Sequence, residues 1–298
     1  MSVGLTATMG FGVSPEWLTA GLDLARASTG GQTFDRSPEL ALRLGIGTVQ
    51  CEALGAWLRL AGLTQGMVSR DGGVVTGLGR TISGHDPRLG DRGTWWVIHY
   101  QWSRRYVVWR LLAELGLGNS TLDRVDRELA AGVGTRAART VRNARRSLIS
   151  ALSQTPIGTD LGLVRLVEEG RRVVALEKAQ VRREAIPLPV FAYAVADWAK
   201  DWAGSSAPLE RLAEPDAPGG IFHLSLGALE RLLMEVEGAF GGTVLTYSRT
   251  AGLDEVYFHF QHSPLALLEC YYRSRGAEKP CGEVLSEILT EGWEMEAE

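Results

Sequence analysis

Residues 135–154 read TRAARTVRNARRSLISALSQ and carry five arginines without one acidic residue. The arginines are Arg136, Arg139, Arg142, Arg145 and Arg146. At about 100° per residue, a helix here has an apolar stripe. The stripe comprises Ala138, Val141, Leu148, Ile149 and Leu152. All the arginines except Arg145 lie on the adjoining face, and Arg145, nearer the stripe, must extend its charged end to solvent. Guanidinium groups stay charged and donate hydrogen bonds in a planar fork, so this face suits a phosphate backbone.

The flanking segments predict a helix before the arginines and a hairpin after them. Residues 120–134 have helical spacing and end in glycines, and Thr135 is expected to cap the arginine helix. Residues 162–167 and 172–176 read as two strands joined by a turn at 168–171. Helix, glycine-containing turn, helix and hairpin is the order of a winged helix-turn-helix module.

Further basic side chains follow the arginine helix and extend the predicted DNA-binding set. They are Arg165, Arg171, Arg172, Lys178, Arg182 and Arg183. The simpler alternative is a solvated charged face, which explains most charge runs. The absence of interspersed acids in the arginine helix favours a nucleic-acid surface.

Composition indicates a globular protein of more than one compact unit. The chain has 298 residues, of which 45% are hydrophobic and 22% charged, and a net charge of −4. Cys51, Cys270 and Cys281 are too far apart in sequence for a zinc quartet or a disulfide framework and fit a reducing compartment. No stretch has the apolar length needed to span a bilayer. We therefore predict a cytoplasmic protein without a membrane partner.

The predicted fold class is α+β, mainly helical, built from winged-helix-like modules with short β-hairpins. Residues 1–82 contain an N-terminal helix, started by Ser14 and Pro15, and a first such module with a hairpin turn at Asp71 and Gly72. Residues 83–118 form an aromatic connecting helix, and residues 119–186 the basic second module. Residues 187–298 form a C-terminal region of helices and strands with an acidic tail.

Two parts of this plan allow closer predictions. Residues 94–115 predict one long helix whose six aromatic rings are buried, although stacking on nucleic-acid bases is an alternative. Residues 205–220 have the Pro, Gly and Ser content of a linker, and IFHL, residues 221–224, reads as a short strand.

Candidate catalytic residues fall into two sets. No phosphate-binding glycine loop or other standard cofactor motif is present, so no nucleotide or organic cofactor is expected. If the chain also cleaves the DNA that it is predicted to bind, it needs acids or histidines that hold a Mg or Mn ion, or a tyrosine nucleophile. The first set is His85, Asp86, Asp91 and His99; the second is Asp254, Glu255, His259 and His262, with Tyr257, Tyr271 and Tyr272 nearby.

Structural alternatives exist for both sets. Asp86 precedes a proline and suits a turn, Asp91 can cap a helix, and His99 can be a hydrogen-bonded core residue. On a strand, Glu255 and His259 share one face and Asp254 lies on the other.

Several segments, in order, resemble a bacterial family found in DNA phosphorothioation defence clusters. They are LALRLGIG, DPRLGDRGTWWVIHYQW, LGLVRL, IFHLSLGALERL and TYSRTAGLDEVYF. The resemblance covers about residues 11–272 and is to SspB-like nicking components of single-strand phosphorothioation systems. It implies nicking of duplex DNA as one step in replacing a phosphate oxygen by sulfur. It also implies a cysteine desulfurase, an ATPase and an ATP-pyrophosphatase-like sulfur-transfer protein as partners, and a second copy of the chain is a further candidate.

Three functional hypotheses remain open at this point. The arginine helix predicts a protein that binds duplex DNA, and the resemblance implies that it nicks one strand. The first alternative is a non-catalytic adaptor or regulator that binds DNA and recruits the sulfur-transfer enzymes. The second is a scaffold that assembles partners through its near-neutral first module and its acidic tail.

Overall fold

A computed structural model describes residues 4–28, 34–66, 74–132, 134, 137–250, 253–276 and 279–291. The chain forms two compact units, Met1–Ala179 and Gln180–Glu298. The finer division into four segments remains a prediction. Arg136, the cap expected at Thr135, the turn expected at Asp71 and Gly72, and the end of the acidic tail lie outside the described residues.

The first unit combines nine helices with two small sheets in its described part. The helices are α1 (Pro15–Ala27), α2 (Pro38–Leu44), α3 (Thr48–Leu60), α4 (Gly77–His85), α5 (Arg92–Arg105), α6 (Val107–Glu114), α7 (Leu122–Gly132), α8 (Ala138–Gln154) and α9 (Pro156–Thr159). The strands are β1 (Thr64–Gln65), β2 (Val74–Val75), β3 (Gly118–Thr121), β4 (Val164–Glu169) and β5 (Arg172–Lys178). As predicted, α1 starts at Pro15 behind Ser14, whose hydroxyl accepts from the Trp17 amide.

Aromatic side chains form the core of the first unit. Trp95, Trp96, Trp102 and Trp109 are fully buried, which confirms the prediction of a core segment. The prediction of one long helix was wrong, because the chain is extended at Tyr106 between α5 and α6. The Arg110 guanidinium donates to the carbonyls of Ser103 and Arg104 and so satisfies backbone acceptors at the end of α5.

The hairpin predicted after the arginine helix is confirmed, and the hairpin of the first module lies partly outside the described residues. β4 and β5 pair antiparallel around a turn at Gly170, whose φ is 63°, and β3 joins the opposite edge of β5. β4 has the predicted length but lies two residues later, β5 extends two residues further than predicted, and the turn is shorter. In the first module, Thr64 and Gln65 of β1 pair with Val75 and Val74 of β2 among the described residues, and α4 begins at Gly77, within the predicted second arm of the hairpin.

The second unit packs helices on one three-stranded sheet. The helices are α10 (Leu188–Ala199), α11 (Leu209–Leu212), α12 (Pro218–Ile221), α13 (Leu226–Ala239), α14 (Leu265–Ser274) and α15 (Cys281–Thr290), and a 3-10 turn covers Arg183–Ala185. The strands are β6 (Ser206–Pro208), β7 (Leu245–Thr250) and β8 (Leu253–Phe258), in the antiparallel order β6-β8-β7.

Two expectations for the second unit were wrong. Residues 205–220 are not a linker but include β6, α11 and most of α12, where the Arg211 guanidinium lies over the Trp198 and Trp202 rings. Ile221 ends α12 and Phe222 begins a turn, so IFHL is not a strand. The fold class itself is confirmed as a mainly helical α+β fold with small antiparallel sheets. No helix among the described residues is long and apolar enough to cross a membrane.

Candidate nucleic-acid interface

The buried face of α8 positions its arginines. The buried residues are Val141, Ala144, Ser147, Leu148, Ala151 and Leu152. The Ser147 hydroxyl is 2.5 Å from that of Thr8 and donates to the Phe11 carbonyl. The predicted stripe was wrong at Ala138, which is exposed, and at Ile149, which is half-buried. Small side chains at Ala144, Ser147 and Ala151 line the side packed against the rest of the unit instead.

Three arginines of α8 are exposed on the opposite side. Arg139, Arg142 and Arg146 lie within about 60° of one another around the helix, nearly opposite the centre of the buried face. We call these three residues the arginine face. The structure records no ion pair for them with any residue in the described ranges. Their side chains are exposed to solvent, although the charge of Arg142 also acts on the Asp126 carboxyl and opposes the rise in its pKa.

Arg145 has a different environment from the arginine face. It lies beside the buried side of α8, and its Nη1 is 2.6 Å from Oδ2 of Asp126 on α7. Burial raises the pKa of the Asp126 carboxyl, and the positive charge of Arg145 opposes that effect. The expected extension of Arg145 to solvent was wrong: the side chain is 22% exposed and holds α7 to α8.

The start of α8 is electrostatically unfavourable for the helix itself. Ala137 at the N-cap offers no side-chain acceptor, and the first turn contains no acidic residue. Helix N-termini already carry a partial positive charge, to which Arg139 adds another. The result is a concentrated positive potential on one end of α8, which is the kind of surface that attracts phosphate groups.

The hairpin contributes less positive charge than the sequence suggested. Arg171 and Arg172 are exposed at its turn, but so are Glu168 and Glu169. Arg165 is exposed and makes two hydrogen bonds to the Glu177 carboxylate, one of them 2.7 Å long from Nε.

The three remaining predicted DNA contacts, Lys178, Arg182 and Arg183, differ in how far their side chains are exposed to solvent. Lys178 is only 9% exposed, and its Nζ donates to the Ala113 carbonyl at 2.6 Å, so this ammonium is bound within the protein. Burial lowers its pKa to about 8. In the second unit Arg182 is exposed, whereas Arg183 forms ion pairs with Glu184 and Glu235.

The first candidate catalytic set has structural roles at the start of α5. Asp86 is buried and accepts hydrogen bonds from the amides of Gly90 and Asp91 at 2.8 and 2.9 Å, and from the Thr94 hydroxyl at 2.8 Å. Asp91 caps α5 by accepting from backbone amides. Nδ1 of buried His99 accepts from Nε1 of Trp109 at 3.0 Å. These hydrogen bonds already use both carboxylate oxygens of Asp86, an oxygen of Asp91 and Nδ1 of His99, which favours structural roles for these three residues.

The second set divides between the two faces of the β6-β8-β7 sheet. As the alternation predicts, Asp254 lies on the face of buried Val256, where its carboxylate pairs with Arg249. Glu255, Tyr257 and His259 lie on the other face.

The exposed face of this sheet brings polar groups together. The Glu255 carboxylate accepts from the Ser206 hydroxyl at 2.7 Å, and Nε2 of His259 is 2.9 Å from the Thr246 hydroxyl. Tyr257 is 42% exposed. Tyr271 and Tyr272 are buried in α14 and do not share this surface.

A groove of about 330 Å³ lies beside this sheet and was not predicted from the sequence. Its lining includes Lys200, Phe258, Phe260 and His262. Lys200 follows the end of α10, Phe258 ends β8, and Phe260 and His262 lie in the segment after it, so no regular sequence spacing marks them. His262 is therefore separate in role from His259, which contacts Thr246. Among the described residues no group of three or more His, Cys, Asp or Glu side chains is arranged to hold a metal ion.

Comparisons with known proteins agree with the fold. A family model described as a protein of unknown function, DUF4007, matches residues 140–272. A solved structure described as magnesium ion-bound SspB is 19% identical, with a TM-score of 0.75, and covers 97% of each chain. A second SspB crystal structure is 17% identical, with a TM-score of 0.73, covering 97% of this chain and 94% of the other. A comparison with curated protein sequences found no match. The predicted resemblance to SspB is therefore confirmed at the level of the fold.

Proposed function

We propose that this chain, which has the SspB fold, binds duplex DNA through the arginine face and nicks one strand during phosphorothioation of the DNA backbone. The observation that carries the binding proposal is the exposure of Arg139, Arg142 and Arg146 on the side of α8 opposite its buried face. The role in phosphorothioation rests on the family resemblance. A cysteine desulfurase, an ATPase and a sulfur-transfer protein are the partners that this role implies.

The arginine face suits a DNA strand in length and in charge. Arg139 and Arg146 are separated by about 10 Å along the helix axis, at about 1.5 Å per residue. A DNA strand carries one phosphate per about 3.4 Å of duplex axis, so the face can contact more than one phosphate. Arginine presents a planar fork of donors to each phosphate, which positions the strand without reading its sequence.

We place the nicking step at the exposed sheet face that carries Glu255, Tyr257 and His259. A carboxylate and an imidazole there can accept and donate protons, and an exposed tyrosine hydroxyl is a possible nucleophile. We leave Asp86 and His99 out of the proposed step, because hydrogen bonds within the core already use both carboxylate oxygens of Asp86 and Nδ1 of His99. A Mg or Mn ion is a proposed cofactor whose binding residues are not assigned.

The second candidate function is a DNA-binding adaptor that recruits separate enzymes. The structural use of Asp86, Asp91 and His99 favours it, because one of the two candidate catalytic sets holds the start of α5 together. Both candidates require the arginine face. They differ only in whether strand cleavage occurs on this chain.

DNA binding is tested with the double substitution Arg139→Glu and Arg142→Glu. With three arginines at phosphates, log affinity should fall with log salt at a slope of about −2.7, and losing two contacts should reduce the slope by about 2. We expect a loss of affinity of at least about 100-fold for a fluorescent duplex at low salt. The matched control is Arg26→Glu with Arg43→Glu, two exposed arginines elsewhere in the first unit. Equal affinity losses for the two double variants contradict the assignment.

Nicking is tested on supercoiled plasmid with Mg or Mn, with and without chelator. The expected result is an open-circular product that disappears in Glu255→Gln or His259→Ala while DNA binding is retained. A nicking activity that survives both substitutions and a substitution of Tyr257 contradicts the placement of the step. No nicking by the folded, DNA-binding protein supports the adaptor.

A further inference from the structure

Two cysteines that are distant in sequence meet between α14 and α15. Cys270 lies in the middle of α14, and Cys281 is the first residue of α15. The Cys270 thiol donates to the Cys281 carbonyl oxygen, with 3.3 Å between sulfur and oxygen. The helical hairpin of α14 and α15 therefore creates a dithiol pair.

The two thiols differ in accessibility and in acidity. Cys270 is fully buried, whereas Cys281 is partly exposed. The neighbouring Cys270 side chain lowers the pKa of the Cys281 thiol to about 6; burial opposes this shift, and the nearby Ser274 side chain favours it. The neighbouring Cys281 side chain and burial both raise the pKa of the Cys270 thiol. This is the arrangement of an attacking thiolate with a protonated neighbour behind it.

Cys51 provides an internal comparison. It is fully buried in α3, in the other compact unit, and burial raises the pKa of its thiol. Cys51 lies in a different unit from the other two cysteines, so no neighbouring thiolate or sulfenic acid is available to it, and its buried, protonated thiol should react slowly with peroxide.

We propose that Cys281 and Cys270 form a reversible dithiol–disulfide site that is oxidised by hydroperoxides. The Cys281 thiolate attacks the OH oxygen of the peroxide, the O–O bond breaks, and the sulfur becomes a sulfenic acid while hydroxide leaves from hydrogen peroxide or alkoxide from an organic hydroperoxide. The Cys270 sulfur then attacks the Cys281 sulfur, an S–S bond forms, and the sulfenic oxygen leaves as water with the Cys270 proton. The two thiols lose two electrons, and the hydroperoxide is reduced by two.

The cross-link ties α14 to the start of α15. A disulfide here reduces the conformational entropy of the unfolded chain. The oxidised form should therefore hold α15 more firmly against α14. This site is independent of the arginine face and of the nicking step.

The site is tested on the full-length reduced protein with hydrogen peroxide. Intact mass spectrometry should show a loss of 2 Da per chain, from the two thiol hydrogens. Digestion without reductant should give a peptide that links Cys270 to Cys281, and dithiothreitol should reverse both changes. In separate samples of the folded, reduced protein, iodoacetamide should modify Cys281 at least about 10-fold faster than Cys51.

Variants separate the attacking thiol from its partner. In Cys270→Ser, a sulfenic acid should accumulate on Cys281 and be trapped by dimedone. In Cys281→Ser, Cys270 should stay reduced. Disulfides between chains, equal alkylation of Cys51 and Cys281, or an unchanged mass after peroxide treatment would overturn the proposal. The alkylation and mass measurements on the unsubstituted chain decide the matter if a variant does not fold.

Discussion

The arginine face and the acid-histidine set around the start of α5 show opposite uses of polar side chains within one unit. Arg139, Arg142 and Arg146 are exposed and offer their donors to solvent. Asp86 and His99 are buried, and donors of the same unit occupy their acceptor atoms. A buried polar group is stable only when it is hydrogen-bonded, whereas an exposed charge needs no partner. The difference teaches that charge density alone does not identify a binding site; the location of each group's hydrogen-bond partners does.

The largest expected effect is on stability, from Asp86→Ala. The substitution leaves the Gly90 and Asp91 amides and the Thr94 hydroxyl without their acceptor. We expect a loss of about 3 kcal/mol of unfolding free energy in urea, since hydrogen bonds to a charged group contribute about 1.5–3 kcal/mol each and are only partly replaced by water. DNA affinity of the folded protein should stay the same.

Asp160→Ala is the control for this substitution, because that aspartate is exposed. It should change stability by less than about 0.5 kcal/mol. If Asp86→Ala changes stability as little as Asp160→Ala does but abolishes nicking, Asp86 belongs to a catalytic site. The contrast between buried structural groups and the exposed arginine face would then be wrong.

The second prediction concerns Lys178, which the sequence placed among the DNA contacts. Its lowered pKa means that the unfolded chain binds more protons than the folded one between about pH 8 and 10, so stability from this group rises with pH in that window. Relative to Lys178→Met, the unsubstituted protein should gain about 1–2 kcal/mol from pH 8 to 10. The measurement is urea unfolding of both proteins at each pH.

Comparison with the Lys178→Met protein cancels the pH dependence that comes from other groups. One such group is Tyr106, because burial raises its pKa to about 12 in the folded chain. DNA affinity of Lys178→Met should remain within about twofold of the unsubstituted protein. A loss as large as that of the arginine double substitution would place Lys178 on the DNA-binding surface after all.

A third prediction separates Arg145 from its neighbours on α8. A double-mutant cycle of Arg145→Gln and Asp126→Asn should give a coupling energy of about 0.5–1 kcal/mol, because the pair is only partly exposed. The same substitutions should affect DNA affinity less than Arg142→Glu does. A coupling energy of zero, with affinity lost in Arg145→Gln, would make Arg145 a fourth member of the arginine face.

The smallest expected effect is a change in stability at Arg139. It tests most directly whether this exposed arginine has a role inside the protein. Arg139→Glu should raise the stability of the first unit by about 0.3–1 kcal/mol, because an acidic residue in the first turn of α8 complements the helix dipole. The same substitution weakens DNA binding under the proposal. Thermal unfolding at low salt measures the gain. Arg146→Glu, about two and a half turns from the N-cap at about 3.6 residues per turn, is the comparison with a weaker dipole effect. A loss of stability in Arg139→Glu would indicate an intramolecular role for this arginine.

Local patterns predicted most elements of the first unit but not their ends. Ser14 and Pro15 start α1 as expected, because a cap and a fixed φ act within one turn. The break at Tyr106 was missed, since it depends on Arg110 reaching back to carbonyls of α5. The hairpin of β4 and β5 was predicted from strand composition, whereas the helix at Gly77 was not, because its glycines resemble a turn.

Some candidate site residues could likewise be predicted from local sequence patterns, whereas others depend on contacts between distant segments. The arginine face could be predicted because helical spacing alone puts Arg139, Arg142 and Arg146 on one side. The burial of Lys178 could not, since it requires the Ala113 carbonyl from a helix 65 positions away. The pairing of Cys270 with Cys281 was likewise hidden, because separation in sequence says little about contacts across a helical hairpin.

By itself, the sequence determined the helical periodicity, the charge of α8 and the resemblance to SspB, because these depend on residue order and on interactions within a few turns of chain. Only the tertiary structure decided which polar groups are satisfied inside the protein. Asp86 and Lys178 are engaged with the backbone of their own unit, whereas the arginine face is not buried by any described part of it. The physical reason is that the partner of a buried polar group is chosen by packing between distant segments, and no local pattern records that choice.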